Sequence, residues 1–230
     1  MEEFETRDNT QESKDDNIEE AVVVSDNENE SEENGDSKSG KSILNDILEI
    51  FESVVISVFI VLILFTYIAR PVTVDGRSME PTLHNQDKLI MRTLFYTPKV
   101  GDIVIINNQN SHTYNISEDE VIEGDGLKKR IIKRVIALGG QEIDIDFETG
   151  VVTVDGKQLE EEYIYDLTKT NARAFEYPVK VPEGYIFVMG DNRNNSTDSR
   201  DGHVGFVKEE DVLGEAVMRF YPFDQIKLLD

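Results

Sequence analysis

The side chains that could do chemistry in this chain lie in three separate segments. The first holds a serine, Ser78, in the turn-forming stretch 75–83, which reads Asp-Gly-Arg-Ser-Met-Glu-Pro-Thr-Leu. A serine beside glycine and proline is usually only a turn residue, so this segment alone is weak evidence for a nucleophile. It also differs from the Gly-x-Ser-x-Gly nucleophile elbow, because Glu80 stands where that motif has its second glycine.

The second segment, 130–140, places a lysine among aliphatic residues. In an extended strand Lys133 shares one face with Ile131 and Val135. Loss of hydration lowers the pKa of a lysine, and a general base near neutral pH needs a decrease of about 2–3 units. Arg134 also has apolar neighbours, but arginine keeps its proton in proteins, so only the lysine could act as a base. The alternative is a lysine stem that lies along a half-buried strand.

The third segment is the polar loop 190–200, Gly-Asp-Asn-Arg-Asn-Asn-Ser-Thr-Asp-Ser-Arg. Loops of this composition normally lie in water. They can also orient a catalytic group through hydrogen bonds. The sequence alone leaves both interpretations open.

Composition excludes several other kinds of site. The absence of cysteine excludes thiol nucleophiles, iron–sulfur clusters and cysteine-ligated zinc. The three histidines lack metal-site spacing, and no phosphate-binding or dinucleotide-binding glycine motif is present. A formal charge of −24 argues against binding to duplex nucleic acid. We therefore expect no metal, no cofactor and no nucleic-acid partner.

Half of the negative charge belongs to the N-terminal part of the chain. Residues 1–40 hold fifteen acidic and three basic side chains, with little apolar material. Such a composition buries too little surface to offset the entropy of ordering. Residues 1–45 are therefore predicted to form a disordered acidic tail.

A membrane anchor is predicted next, over residues 46–70. Ser53–Ala69 is a run of 17 residues without a charge, bounded by Glu52 and Arg70. This length is at the lower edge of what spans a bilayer, and the apolar residues before it extend the helix. The run starts too far along the chain for a cleavable signal peptide, and Pro71 is expected to end the helix. The alternative is a buried core element.

Residues 71–230 are predicted to form an antiparallel, barrel-like β domain. A hairpin is expected where Asp155-Gly156 follows Val151–Val154. Two polar stretches, 107–128 and 157–180, are expected to be excursions from the sheets, and plain surface is the preferred interpretation of both. The predicted strands are the short runs rich in β-branched residues: Pro71–Val74, Lys88–Met91, Asp102–Ile106, Arg130–Leu138, Gln141–Phe147, Val151–Val154, Tyr185–Met189 and Glu215–Tyr221.

Taken in order behind a membrane helix, the three segments resemble the type I (leader) signal peptidase family of the bacterial Ser–Lys type. The resemblance rests on Ser-Met-x-Pro-Thr-Leu at 78–83, Lys-Arg at 133–134 and the 190–200 loop. It implies that Ser78 is the nucleophile and Lys133 the general base. It also implies supporting roles: a hydrogen bond to the lysine for Ser196, a structural ion pair for Asp198 and Arg200, and a place in the Gly-Asp-Asn turn for Asp191.

The same resemblance implies a mechanism, a fold and a location. The implied fold is the signal-peptidase/LexA-type β fold. The implied activity is cleavage of signal peptides through an acyl-enzyme, with the backbone N–H of Ser78 in the oxyanion hole. The signal peptide is expected to bind as an added strand. Some members have a hydroxyl-bearing residue two positions before the nucleophile, where this chain has Gly76, so a side-chain oxyanion donor is missing. The β domain is expected on the extracellular side, the tail in the cytoplasm, and Met79 in contact with lipid.

Two other functions remain as alternatives. One is a self-cleaving repressor peptidase with a Ser–Lys dyad, which the anchor and the acidic tail disfavour. The other is an anchored β-module that binds peptides without cleaving them, for which Lys133 would be dispensable. Oligomeric state and preferred preproteins do not follow from the sequence.

Overall fold

The structure is a computed structural model that describes residues 37–115 and 120–229. Helix α1 (Ser37–Ile63) continues as a π-helical turn over Leu64–Ile68. Within it, Ile43–Thr66 (24 residues, mean hydropathy 2.7) is long and apolar enough to cross a membrane, judged by length and composition.

The helix differs from the prediction at both ends. It begins at Ser37 rather than at residue 46, because once a helix has formed each added residue gains a hydrogen bond. It ends before Pro71, since Ala69 already belongs to the first strand. The remainder of the predicted tail, residues 1–36, lies outside the described residues.

The regular structure that follows is mostly β-strand, and each predicted run overlaps one strand. Short 3₁₀ turns occupy Glu209–Asp211 and Phe223–Gln225. The strands are β1 (Ala69–Thr73), β2 (Lys88–Arg92), β3 (Ile103–Asn115), β4 (Glu120–Leu138), β5 (Glu142–Asp146), β6 (Val151–Val154), β7 (Lys157–Gln158), β8 (Val179–Lys180), β9 (Tyr185–Met189), β10 (Val207–Lys208), β11 (Val212–Tyr221) and β12 (Lys227–Leu228). The short strands β7, β8, β10 and β12 are not among the predicted runs.

These strands form two antiparallel sheets. The larger follows the order β1-β2-β11-β3-β4-β9-β10, with β12 beside β11, and the smaller the order β7-β6-β5-β8. Pro71 lies in β1, an edge strand, where a missing N–H is tolerated. The predicted hairpin is confirmed: β6 pairs with β7, and Asp155 and Gly156 both have positive φ, as a type I′ turn requires. The prediction of a mainly β, antiparallel domain is confirmed.

The stretch 107–128 was expected to leave the sheets, yet it forms paired strand on both arms. β3 and β4 pair from Ile103 opposite Arg134 out to Asn115 opposite Glu120. Its polar residues do not prevent this, because ladder hydrogen bonds satisfy the backbone whatever the side chains are. β-Branched residues such as Thr113 opposite Ile122 further favour pairing. Residues 116–119 lie outside the described residues.

The apolar core has three clusters, and one of them corrects an expectation about Met79. Met79 packs in the core and is only 2% exposed, so the expected contact with lipid is wrong. Its neighbours come from β2, β3 and β11 and from the turn after β1: Val74, Leu83, Leu89, Met91, Ile103, Ile105 and Ala216. The other clusters fill the faces of β3, β4 and β9 and the space under the smaller sheet.

Candidate active site

The turn that carries Ser78 is held at both ends. Backbone hydrogen bonds from Val74 N to Asp87 O and from Gln86 N to Val74 O (both 2.9 Å) close the loop between β1 and β2. Within the loop, Met79 and Leu83 are buried in the core. Ser78 precedes Met79 directly, so its side chain lies at the boundary between core and solvent and is half-buried.

Lys133 reaches this serine from the centre of β4. Its side chain is 4% exposed, and its Nζ lies 2.8 Å from Ser78 Oγ and 2.9 Å from the carbonyl oxygen of Ile132. Burial lowers the pKa of Lys133 to about 8. The carboxylate of Asp198 opposes this decrease, and the nearby positive charge of Lys129 adds to it. A large fraction of the amine is therefore unprotonated slightly above neutral pH. An amine in this state can take a proton from a hydroxyl.

Arg134 follows Lys133 in the chain and points to the other side of the strand. Its guanidinium donates to both carboxylate oxygens of Asp191 at 2.8 and 2.7 Å, and both residues are buried. The ring of Tyr163 stacks on the same guanidinium at 4.0 Å. The two cations of the Lys-Arg pair therefore have separate surroundings, one facing a hydroxyl and the other a carboxylate.

Asp191 and Asn192 tie the 190–200 loop to the serine turn. Thr82 Oγ1 donates to Asp191 Oδ2 at 2.6 Å, and Asn192 N donates to the Ser78 carbonyl oxygen at 3.0 Å. Asn192 Nδ2 also donates to the Arg77 carbonyl oxygen at 3.2 Å. In a trans peptide the C=O and N–H point in opposite directions, so holding the Arg77 carbonyl also sets the direction of the Ser78 N–H.

Asp198 and Arg200 form the buried ion pair that the resemblance implied. Arg200 Nε and Nη2 each lie 2.8 Å from a carboxylate oxygen, and Gly190 N donates to Asp198 Oδ2 at 3.0 Å. Burial by itself disfavours the charged carboxylate, but attraction and hydrogen bonds from Arg200 outweigh it and hold the pKa of Asp198 below its usual value.

Ser196 lies beside these groups without the expected hydrogen bond to the lysine. Its Oγ is buried and has no hydrogen-bond partner among the described residues. It packs instead against Gly190, where an added Cβ would lie within 3.0 Å of Ser196 Oγ.

The structure adds site neighbours that the sequence interpretation treated as surface. Glu161 and Tyr163 come from the 157–180 segment, and Glu161 forms a buried ion pair with Arg193 at 2.6 Å between Nη1 and Oε1. Thr168 Oγ1 accepts a hydrogen bond from the same arginine at 3.1 Å. Nothing in the local sequence distinguishes these residues from exposed polar ones, because the partners are about 30 residues apart. Among the described residues, no group of three His, Asp or Glu side chains could hold a metal ion.

A groove of about 450 Å³ leads away from the Ser78–Lys133 pair. Its two walls are Val72–Asp75 and Lys129–Ile132. β1 pairs only with β2, and β9 pairs with β4 only from Arg134 onward, so within the described residues each wall has an unpaired backbone edge. A larger cleft, about 640 Å³, lies against the smaller sheet near Phe147 and contains neither Ser78 nor Lys133.

Comparison with known proteins places the chain in a family. Residues 47–221 match the family model described as signal peptidase, peptidase S26. A probable signal peptidase I-1 of Synechocystis sp. is 38% identical over 171 residues, 73% of this chain and 79% of its own. A signal peptidase I of Bacillus licheniformis is 34% identical over 196 residues, 81% of this chain and 95% of its own.

A solved structure, a signal peptidase I of Enterococcus faecalis V583, covers 52% of this chain and 97% of its own at 26% identity, with a TM-score of 0.38. The assignment rests on the family model and on the two sequence relatives, which share most of their length with this chain. The chain belongs to the signal peptidase family, peptidase S26.

Proposed function

We propose that this signal peptidase cleaves its substrate with Ser78 as the nucleophile and Lys133 as the general base. The observation that carries the proposal is the 2.8 Å contact between the buried Lys133 Nζ and Ser78 Oγ. Burial keeps the lysine amine partly neutral, and only the neutral amine has a lone pair to accept the hydroxyl proton. Serine with lysine is one of the variants of the catalytic triad that dispense with histidine.

In the first half of the reaction, Ser78 Oγ bonds to the substrate carbonyl carbon while its proton moves to Lys133 Nζ. The carbonyl oxygen becomes an oxyanion. When the tetrahedral intermediate collapses, the C–N bond breaks and the Lys133 ammonium returns the proton to the departing amine. The products are a free amino terminus and an ester between Ser78 and the signal peptide.

In the second half, Lys133 takes a proton from water, and the resulting hydroxide attacks the ester carbonyl. The C–Oγ bond breaks, Ser78 recovers a proton from Lys133, and the signal peptide leaves as a carboxylic acid that loses its proton to solvent. The backbone N–H of Ser78 is the proposed oxyanion donor in both halves, with Asn192 holding the preceding carbonyl as its support. Gly76 offers no side-chain donor, so the hole depends on the main chain.

The substrate in this proposal is the extended end of a signal peptide, bound as an added strand in the groove. The support is the pair of unpaired edges, Val72–Asp75 and Lys129–Ile132, which end at the Ser78–Lys133 pair. Main-chain hydrogen bonds supply affinity in this mode, and pockets along the strand select side chains. Narrow apolar pockets before the cut would favour small residues by excluding larger ones.

We also propose the arrangement in the membrane. Residues 1–45 form an acidic tail in the cytoplasm, residues 46–70 a single anchor in the lipid bilayer, and residues 71–230 the catalytic domain on the extracellular side. The apolar span Ile43–Thr66 supports the anchor. Substrates are exported preproteins, and no nucleic acid takes part.

Cleavage of a preprotein by purified full-length variants tests the proposal. Ser78→Ala and Lys133→Met each should lower kcat by at least about 1,000-fold, since each removes a group that must act in every turnover. Lys133→Met replaces the amine with an apolar side chain of similar volume, so the fold should survive, which thermal unfolding would verify. Lys157→Met, at an exposed lysine on β7, is the matched control.

A Lys133→Met protein that folds and cleaves at the wild-type rate would remove the base from the mechanism. The alternative of a module that binds peptides without cleaving them predicts something else: a wild type that binds the preprotein without cleaving it, and a Lys133→Met protein that binds it equally well. Mass spectrometry of quenched wild-type reactions adds an independent measurement. The proposal requires a covalent adduct on Ser78 equal in mass to the signal peptide less one water.

A further inference from the structure

The groove that leads to Ser78 carries positive charge in a chain that is otherwise strongly acidic. Residues 128–134 read Lys-Lys-Arg-Ile-Ile-Lys-Arg, without an acidic residue, whereas the whole chain has a formal charge of −24. Two of these cations, Lys129 and Arg130, line the groove and are exposed. Neither side chain forms an ion pair with a described residue, unlike Lys128, which pairs with Asp125 at 2.9 Å.

The other charges of the groove do not cancel this pair. Arg77 also lines the groove, and it forms an ion pair with Glu80, with 3.0 Å between Arg77 Nε and Glu80 Oε1. Asp75 is the only carboxylate among the lining residues. Lys133 itself is partly neutral because of its burial. Lys129 and Arg130 are therefore two solvated cations that lie beside the path of the substrate and have no ion-pair partner among the described residues.

The distance along the strand indicates which substrate residue they would meet. Lys129 precedes Lys133 by four residues in β4. An extended chain advances about 3.3 Å per residue, so Lys129 lies about 13 Å from the base along the groove. A peptide paired with this edge would bring the residue three to five positions from the cleaved bond to these cations.

We infer that Lys129 and Arg130 select signal peptides that carry a carboxylate three to five residues before the cleavage site, and that they disfavour a cation there. The inference rests on the proposed binding of the signal peptide in this groove. Charges at the rim of a binding site act mainly on encounter and on salt dependence. Because the attraction is the same in the ground state and the transition state, it should appear in KM rather than in kcat.

The test uses three preprotein probes that are identical except for Glu, Gln or Lys at the fourth residue before the cut. The full-length enzyme is assayed in neutral detergent micelles at one pH, which removes any contribution from anionic lipid. An exposed ion pair changes binding by up to about fivefold, so the Glu probe should exceed the Lys probe in kcat/KM by about tenfold, with Gln between them. At about 1 M NaCl the preference should largely vanish, since the Debye length falls to about 3 Å.

Lys129→Glu should bring the Glu-to-Lys ratio to one or below, and adding Arg130→Glu should invert it. Lys157→Glu, the same charge change at an exposed lysine outside the groove, should leave the ratio as in the wild type. The readout is a ratio for each enzyme. It therefore cancels the effect of Lys129 on the pKa of Lys133, which changes the rate for all three probes alike.

A wild-type ratio near one, or a ratio unchanged by Lys129→Glu, overturns the inference. Cleavage of the Gln probe separates this failure from failure of the proposed function. A wild type that cleaves Gln normally without charge preference retains the Ser–Lys mechanism, whereas activity that survives Ser78→Ala removes the mechanism itself.

Discussion

Gly190 offers a direct test of how closely the 190–200 loop packs on Ser78, the proposed nucleophile. A Cβ added at this position would lie within 3.0 Å of both Ser196 Oγ and the carbonyl oxygen of Ser78. The glycine cannot easily move away, because its N–H donates to Asp198 Oδ2 and its carbonyl oxygen accepts from Arg193 Nε, both at 3.0 Å. Gly190→Ala must therefore displace the Ser78 backbone, the loop, or both.

The expected size of the effect follows from the overlap. Ordinary contacts between such atoms are about 3.5 Å or longer, so relief requires a shift of about 1 Å. Overpacking of this kind costs about 1–3 kcal/mol, and for a domain of this size each kcal/mol lowers Tm by about 2–4 °C. The 2.8 Å contact between Lys133 Nζ and Ser78 Oγ would lengthen by a comparable amount. A misplacement of about 1 Å at the reacting groups can cost about 100-fold in kcat.

The measurement pairs thermal unfolding with the kcat of preprotein cleavage. Gly202→Ala is the matched control, because an added Cβ there meets nothing within 4 Å and the backbone needs no positive φ. We expect Gly202→Ala to match the wild type in both measurements and Gly190→Ala to fall in both. If Gly190→Ala keeps the wild-type Tm and kcat, the close packing of the loop on Ser78 is not real, and the argument from it fails.

Three further predictions concern charge. Because burial lowers the pKa of Lys133 to about 8, kcat/KM should rise about tenfold per pH unit below pH 8 and level off above it. At pH 7 it should be about a tenth of the maximum. A profile that is flat from pH 6 to 9 would contradict this. Between pH 8 and the usual lysine pKa of 10.5, the unfolded chain binds the Lys133 proton and the folded chain does not. The free energy of unfolding should therefore rise with pH in that window, and Lys133→Met should remove the rise. Asp198→Asn leaves the buried Arg200 without its counter-charge and should lower the free energy of unfolding, measured with urea, by about 3–5 kcal/mol. Adding Arg200→Met should recover part of the loss. An Asp198→Asn protein with an unchanged free energy of unfolding would show that the pair does not stabilise the loop.

The parts that sequence reasoning predicts well are those with a local signal. The eight β-branched runs, the Asp155-Gly156 turn and the apolar helix each follow from a period or a turn chemistry visible within about ten residues. The choice of Lys133 over Arg134 as the base also follows from a local argument, since only one of the two can release a proton, and it stays a prediction. The site residues themselves remain predictions, although the structure brings Ser78 and Lys133 together.

The parts that sequence reasoning misses depend on long-range contacts. Met79 was expected to contact lipid together with the apolar residues near it, yet residues of β2 and β11 pack against it and bury it. Glu161 and Tyr163 looked like surface because their partners, Arg193 and Arg134, lie far away in the chain. The polar arms of β3 and β4 form strand because they pair with each other, which no single-segment pattern reveals.

The long hairpin of β3 and β4 also has a consequence for catalysis. Lys133 and Arg134 are consecutive, so their side chains point to opposite sides of β4. A slip of β4 by one residue would exchange them and present to Ser78 a guanidinium that cannot release its proton. The ladder runs from Ile103 out to Asn115, and its outer pairs, many residues along the strands from Lys133, also oppose such a slip. Strand pairing outside the groove thus helps to decide which of two neighbouring cations faces Ser78, the proposed nucleophile.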